Sequence, residues 1–184
     1  MDVRPHCFWP TKTGSDYITV GGFTLRQASP QWAPPTEYQE GLIGPHWSKG
    51  WIIENNVIAE SKSVGISLGT EIGTGHKKQA GKHKKGGTQR EQEVILRALH
   101  AGWHKDNVGS HIIRGNIIHD CEQAGIVGHM GGAFSQIQNT RIYNIHHKRL
   151  RHGAEVGGIK LHAALDTQMS DNLIYSCYRG IWLD

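Results

Sequence analysis

A chain of 184 residues suffices for one domain with one core, and it contains no run near the roughly 18 apolar residues that a membrane-spanning helix needs. Apolar residues are 37% and glycines number 24, which suits many tight corners around one thin core. The net charge is only +4, and much of the basic excess sits between His76 and Lys85 with no aromatic-interleaved basic face, so the run reads as a solvated loop and excludes nucleic acid as the expected partner.

The N-terminal MDVRPHCFWPTKTG lacks an apolar h-region, so it is not read as a signal peptide, and the compartment stays open. The first element is YITVGGFTLRQ from Tyr17, a loose copy of a template that recurs along the chain. The excursion SPQWAPPTEYQEG, marked by Pro30, Pro34 and Pro35, leads to Gly41-Leu42. Clearer copies follow: WIIENNVIAESKSVGISLG from Trp51, HIIRGNIIHDCEQAGIVGH from His111, SQIQNTRIYNI from Ser135 and TQMSDNLIYSCYRGIWLD from Thr167. Each carries a turn position, Asn56, Asn116, Thr140 or Asn172. A second strand opens on Gly65-Ile66, Gly125-Ile126, Gly158-Ile159 or Gly180-Ile181, with Gly41-Leu42 as the first-coil counterpart.

Such repetition predicts a stack of coils in which Asn and Gly make the corners and Ile and Val fill the interior. The fold expected is an all-β, right-handed parallel β-helix, a pectate-lyase-like solenoid of four to five coils spanning 1–184 as one domain. A β-sandwich also has short, evenly spaced strands, but its strands need not resemble one another. Stacked asparagines can hydrogen-bond along such a solenoid, and Thr140 should interrupt that ladder.

An insertion over 70–107 combines a Gly- and Lys-rich loop with TQREQEVILRALHAG, which reads as one short helix. Thr88 and Glu91 form a potential capping box, Val94, Ile95, Ala98 and Leu99 the apolar face, and Gly102 the stop. Cys7, Cys121 and Cys177 contain no CxxC and are odd in number, so they read as structural thiols.

Alternation along the Gly-Ile strands turns Ile66, Ile126, Ile159 and Ile181 inward. It turns outward Ser67, Val127, Lys160 and Trp182, and then Gly69, His129, His162 and Asp184. A His-His-Asp column beside Lys160 and an exposed Trp182 predicts an oligosaccharide groove, because an indole stacks well on a sugar ring. His129, His162, Lys160 and Trp182 are the candidate sugar-binding residues. Glu155, three residues before Gly158, is placed to reach Asp184, and glycoside hydrolysis uses two carboxyl groups. No HExxH or HxxxH falls on a predicted helix and the outer face lacks clustered aspartates, so neither a metal nor another cofactor is expected. Lys160 as the base of a polysaccharide lyase, and a non-catalytic carbohydrate-binding or structural β-helix, are the alternatives.

The strings WAPPTEYQEGLIGPHWSKGWIIENN, GAEVGGIKLHAALD and RGIWLD resemble glycoside hydrolase family 120, the β-xylosidases built on a parallel β-helix. The resemblance runs from about Gly14 to Asp184 and includes loop residues such as Trp32 and His46-Trp47. It implies a retaining enzyme acting on xylo-oligosaccharides, with Asp184 as nucleophile and Glu155 as an assisting glutamate. It also implies that the general acid/base lies about one coil beyond Asp184. Ile181 and Leu183, core residues of an uncapped strand, read as the edge of a fragment, one expected to be inactive alone and prone to self-association.

Overall fold

The structure is a computed structural model describing residues 4–33, 38–69, 87–150 and 155–184. The strands form three parallel sheets, each receiving one strand from every coil. Sheet 1 holds β1 (Thr19–Gly21), β4 (Ile52–Glu54), β7 (Ile112–Arg114), β10 (Gln136–Gln138) and β13 (Gln168–Ser170). Sheet 2 holds β2 (Thr24–Arg26), β5 (Val57–Ala59), β8 (Ile117–His119), β11 (Arg141–Ile145) and β14 (Leu173–Cys177). Sheet 3 holds β3 (Gly41–Ile43), β6 (Val64–Ser67), β9 (Ala124–His129), β12 (Gly157–His162) and β15 (Ile181–Leu183). The chain is therefore a parallel β-helix of five coils.

Two corners repeat in every coil. Between sheets 1 and 2 the backbone turns through positive φ at Gly22, Asn55, Gly115, Asn139 and Asp171. Between sheets 2 and 3 it does so at Gln27, Glu60 and Asp120, and near the ends of the longer strands β11 and β14 at Asn144 and Ser176. Glycine, asparagine and aspartate dominate the first set because the left-handed region costs them least.

Asn56, Asn116, Thr140 and Asn172 follow the left-handed residue rather than occupying that conformation themselves. Their side chains point into the stack. Asn116 Oδ1 accepts from the backbone N and from Nδ2 of Asn56, while Asn116 Nδ2 donates to Ile53 O. Asn172 repeats the pattern, accepting from Thr140 N and donating to Ile137 O. Thr140 turns its hydroxyl back to Gln138 O instead, and a shallow depression lined by Asn116, Asn139, Thr140 and Arg141 lies there.

The core runs through the stack, with Ile66, Ile126 and Ile159 of sheet 3 facing Ile58, Ile118 and Ile142 of sheet 2 and Ile53, Ile113 and Ile137 of sheet 1. Glycine precedes the sheet 3 isoleucines because the coils close tightly there. A Cβ on Gly125 would stand 2.7 Å from Gly158 O, and one on Gly158 2.7 Å from Gly180 O. The first coil departs from the expected alignment: Ile43, not Leu42, pairs with Ile66, and Gly41 pairs with Val64. Its counterpart of the Gly-Ile pair is thus one residue later than the glycine suggests.

Helix α1 (Gly87–His100) lies within the expected insertion, and Val94 and Ala98 bury against Trp47, Val108 and Met130. Leu99, expected on the apolar face, is exposed instead, because the contact stripe follows 94 and 98 with Ile95 at its margin. Trp103 N and Gly102 N close the last turn on Ala98 O and Leu99 O. The side chains of the capping box, the loop from His76 to Lys85, and Pro34 and Pro35 lie outside the described residues. Cys121 is buried in the core, where desolvation pushes its thiol up to about 12; Cys177 is partly buried and raised for the same reason, and Cys7 is exposed. A structural-thiol reading thus suits Cys121 and not Cys7. No helix among the described residues is long and apolar enough to cross a membrane.

Candidate functional site

The outer face of sheet 3 is built by register. Ser67 pairs with Val127, Val127 with Lys160, and Lys160 with Trp182. Two residues on, His129 pairs with His162. Asp184 extends that second column, its N donating to Leu161 O and its O accepting from Ala163 N. Gly69 begins the column as a glycine for a steric reason: its φ is 97°, and a Cβ would collide with His46 O.

Asp184 Oδ2 accepts from Lys160 Nζ at 2.5 Å and Oδ1 from Trp182 Nε1 at 2.8 Å. His162 Nε2 lies 2.7 Å from Glu155 Oε1 and 3.6 Å from Asp184 Oδ2. Lys160 Nζ is also 4.0 Å from Glu155 Oε1, so the ammonium lies near both carboxylates. His129 meets the His162 ring edge to face, with centroids 5.4 Å apart.

Burial divides this group. Lys160 is 0% exposed, Glu155 1% and His162 5%, whereas the Asp184 side chain is 44% exposed. Burial raises the Asp184 carboxyl, but the Lys160 hydrogen bond and charge, the Trp182 hydrogen bond and the nearby His162 outweigh it and hold the group below its ordinary range. The Asp184 carboxylate is thus held against a buried cation.

The sequence leads one to expect an open groove along this face. Instead, Lys160 and His129 are fully buried. The cover comes partly from the excursion after β2. Ser67 Oγ donates to Gln39 O, and Gln39 Nε2 and Gln123 Nε2 both donate to Ala33 O. Gln39 Nε2 also lies 3.5 Å from Glu155 Oε2. Alternation distinguishes the two faces of a strand but carries no information about what packs over the outer one.

Trp182 is not a bare platform. Lys160 Nζ stands 4.3 Å and Arg179 Cζ 4.1 Å from its ring centroid, and Arg179 Cζ lies 5.0 Å from the Tyr178 centroid. Sequence reasoning missed Arg179 and Gln39. Arg179 was within reach, since it immediately precedes Gly180, and its O accepts from Gly158 N of the neighbouring coil. Gln39 belongs to an excursion with no repeat to align it.

Single donor atoms of Glu155, His162 and Asp184 lie within 4.8 Å of one another, a spacing that could hold a metal ion. Lys160 supplies a cation beside the same carboxylates, and its charge opposes a second one there. The expectation of no metal thus meets a donor cluster of suitable spacing, with the Lys160 ammonium beside it.

No protein-family model matches the sequence, and no curated protein matches it. The chain is similar to XylC. It superposes on a solved structure described as "The complex structure of XylC with xylose" with a TM-score of 0.95 and 52% sequence identity. The match covers 98% of this chain and 28% of the XylC chain, so this chain spans a little over a quarter of that protein's length.

Proposed function

We propose that this chain forms the nucleophile-bearing part of a retaining β-xylosidase site of the glycoside hydrolase family 120 kind, acting on xylo-oligosaccharides. The observation carrying the proposal is the Asp184 carboxylate, depressed by Lys160 and held by Trp182 Nε1, on a β-helix similar to a structure solved with xylose. A glycosidase nucleophile must be ionised, accessible and held in one orientation. Lys160 and Trp182 each take one Asp184 oxygen, which fixes the carboxylate plane. Attack by Oδ1 or Oδ2 on the anomeric carbon would break the bond to the leaving group and form a glycosyl ester, which water then cleaves.

Glu155 fits a positioning role better than that of the acid. It is buried, its Oε1 is engaged by His162, and its Oε2 faces Gln39, so it has no path to a leaving-group oxygen. In this reading it anchors His162 and Lys160 beneath Asp184, and the general acid/base comes from beyond Asp184, as the family resemblance implies. His162 and His129 line the floor from below rather than binding sugar directly. Lys160 as a lyase base lacks support, because a fully buried ammonium held by a carboxylate cannot reach a sugar C–H.

The test is labelling with 2-deoxy-2-fluoro-β-xylosyl fluoride, whose fluoride leaves without needing a strong acid. Mass spectrometry should find one fluoroxylosyl adduct on the peptide containing Asp184, and Asp184→Asn should reduce its formation at least about 10³-fold. An adduct elsewhere would overturn the assignment of Asp184. Sugar binding in solution without any adduct would favour a non-catalytic carbohydrate-binding β-helix.

A further inference from the structure

We propose that Gln39 is a positioning residue for the nucleophile: its side-chain amide fixes the Glu155 carboxylate and, through Glu155, the Lys160 ammonium beneath Asp184. The inference rests on the xyloside reading of Asp184 and adds to it a residue from outside the repeat. Gln39 is 2% exposed and belongs to the excursion between β2 and β3. Its backbone O accepts from Ser67 Oγ at 2.7 Å, and its Nε2 donates to Ala33 O at 3.0 Å. A carbonyl oxygen only accepts, so the amide must turn its nitrogen to this side, and the flip of the group is decided. One N–H is then left, and it meets Glu155 Oε2, 3.5 Å from the nitrogen. Ala33 O is itself held by Gln123 Nε2 at 2.8 Å, and Gln123 Oε1 accepts from Ser63 Oγ.

Glu155 gives this contact its weight. It is 1% exposed, and its φ of 70° is a left-handed conformation unfavourable to a residue with a Cβ. Oε1 is occupied by His162 Nε2 at 2.7 Å, with Lys160 Nζ 4.0 Å away. Among the described residues, Gln39 is the one hydrogen-bond donor to Oε2. Without it a buried, charged oxygen is left unpaired, and the carboxylate relieves that state by turning towards Lys160, the cation beside it. Lys160 is also the group that holds Asp184 Oδ2. The contest matters most during attack. As an Asp184 oxygen bonds to the anomeric carbon, its negative charge passes to the leaving group, and Glu155 becomes the carboxylate that matches the buried ammonium. A Glu155 fixed by Gln39 and His162 serves both stages without moving.

The experiment is the kinetics of labelling by 2-deoxy-2-fluoro-β-xylosyl fluoride, followed over a range of reagent concentration. This separates binding of the reagent from the rate of adduct formation. Gln39→Met keeps the length of the side chain and removes the donor. It should slow adduct formation on Asp184 about tenfold at saturating reagent, and leave the half-saturating concentration within about twofold of native. Gln123→Met is the control for a merely structural role, since it strips the other donor from Ala33 O without touching Glu155, and it should label at the native rate. Should Q39M melt below the assay temperature, Gln39→Asn, which draws the amide back from Glu155 by one methylene, carries the same expectation. A native rate in the Gln39 variant, a change confined to half-saturation, or equal slowing in Q123M would overturn the positioning role while leaving the xyloside reading intact. Absence of any adduct in the native chain would overturn both.

Discussion

Sheet 3 presents two faces made by the same strands. Inside, Ile66, Ile126 and Ile159 repeat one residue coil after coil; outside, the matching positions read Ser67, Val127, Lys160 and Trp182, then Gly69, His129, His162 and Asp184. The inner face meets the same packing requirement in every coil and answers it with the same side chain. The outer face meets different neighbours: Gln39 beside Ser67 and the Asp184 carboxylate beside Lys160. Repetition therefore marks the scaffold, and departure from it, on the same strands, marks the chemistry.

The comparison is broken most strongly from the inside. Ile126→Ala should destabilise the chain by about 2–5 kcal/mol in chemical denaturation, because the rigid stack cannot collapse into the space. Ser67→Ala, on the outer face of the neighbouring coil, removes one hydrogen bond to Gln39 O and should cost about 1 kcal/mol. A reversal of that order would show that the cover, not the core, holds the coils together.

Asn116→Ala comes next. It strips the partner from Asn56 N and Ile53 O and one of the two partners of Asn56 Nδ2, which keeps Val20 O, and a loss of about 1–3 kcal/mol is expected from the same denaturation measurement.

The outer face is probed by pH. The folded-state carboxyl of Asp184 is depressed, so it contributes stability above the ordinary carboxylate value of about 4 and loses it as pH falls through the lower folded value. Lys160→Met removes the main cause of that depression. In a melting series, the advantage of the native chain over K160M should be present at neutral pH and shrink in acid, and the Asp184 carboxyl should titrate higher in K160M by carbon NMR. A difference independent of pH would reduce Lys160 to a packing residue.

The smallest effect is a gain. Thr140→Asn should restore the interrupted ladder and stabilise the chain by up to about 1 kcal/mol. No gain would mean that Gln138 O already satisfies this corner.

Much of the fold was legible because a solenoid restates its rules. The turn asparagines and the Gly-Ile starts gave the coils and their register from Asn56 onward. The alignment failed at Leu42, where an isolated glycine stood in for a repeat, and at Leu99, where helical periodicity offered a wider apolar face than the contact used. The left-handed residue precedes each ladder asparagine by one position, since Asn serves both the turn and the ladder and composition alone does not separate the two uses.

The sequence by itself determined the coil repeat, the inward isoleucines and the alignment of His129, His162, Lys160, Trp182 and Asp184 on one face, because strand alternation and parallel pairing are local rules applied again and again. Only the tertiary structure decided which of those residues meet solvent and which pair. Lys160 and Glu155 are buried, Lys160 pairs with Asp184, Gln39 reaches Glu155 from an excursion 116 positions away, and Arg179 lies over the Trp182 ring. Those outcomes depend on what lies across space from each side chain, and an irregular excursion carries no periodic signal that would announce where it lands.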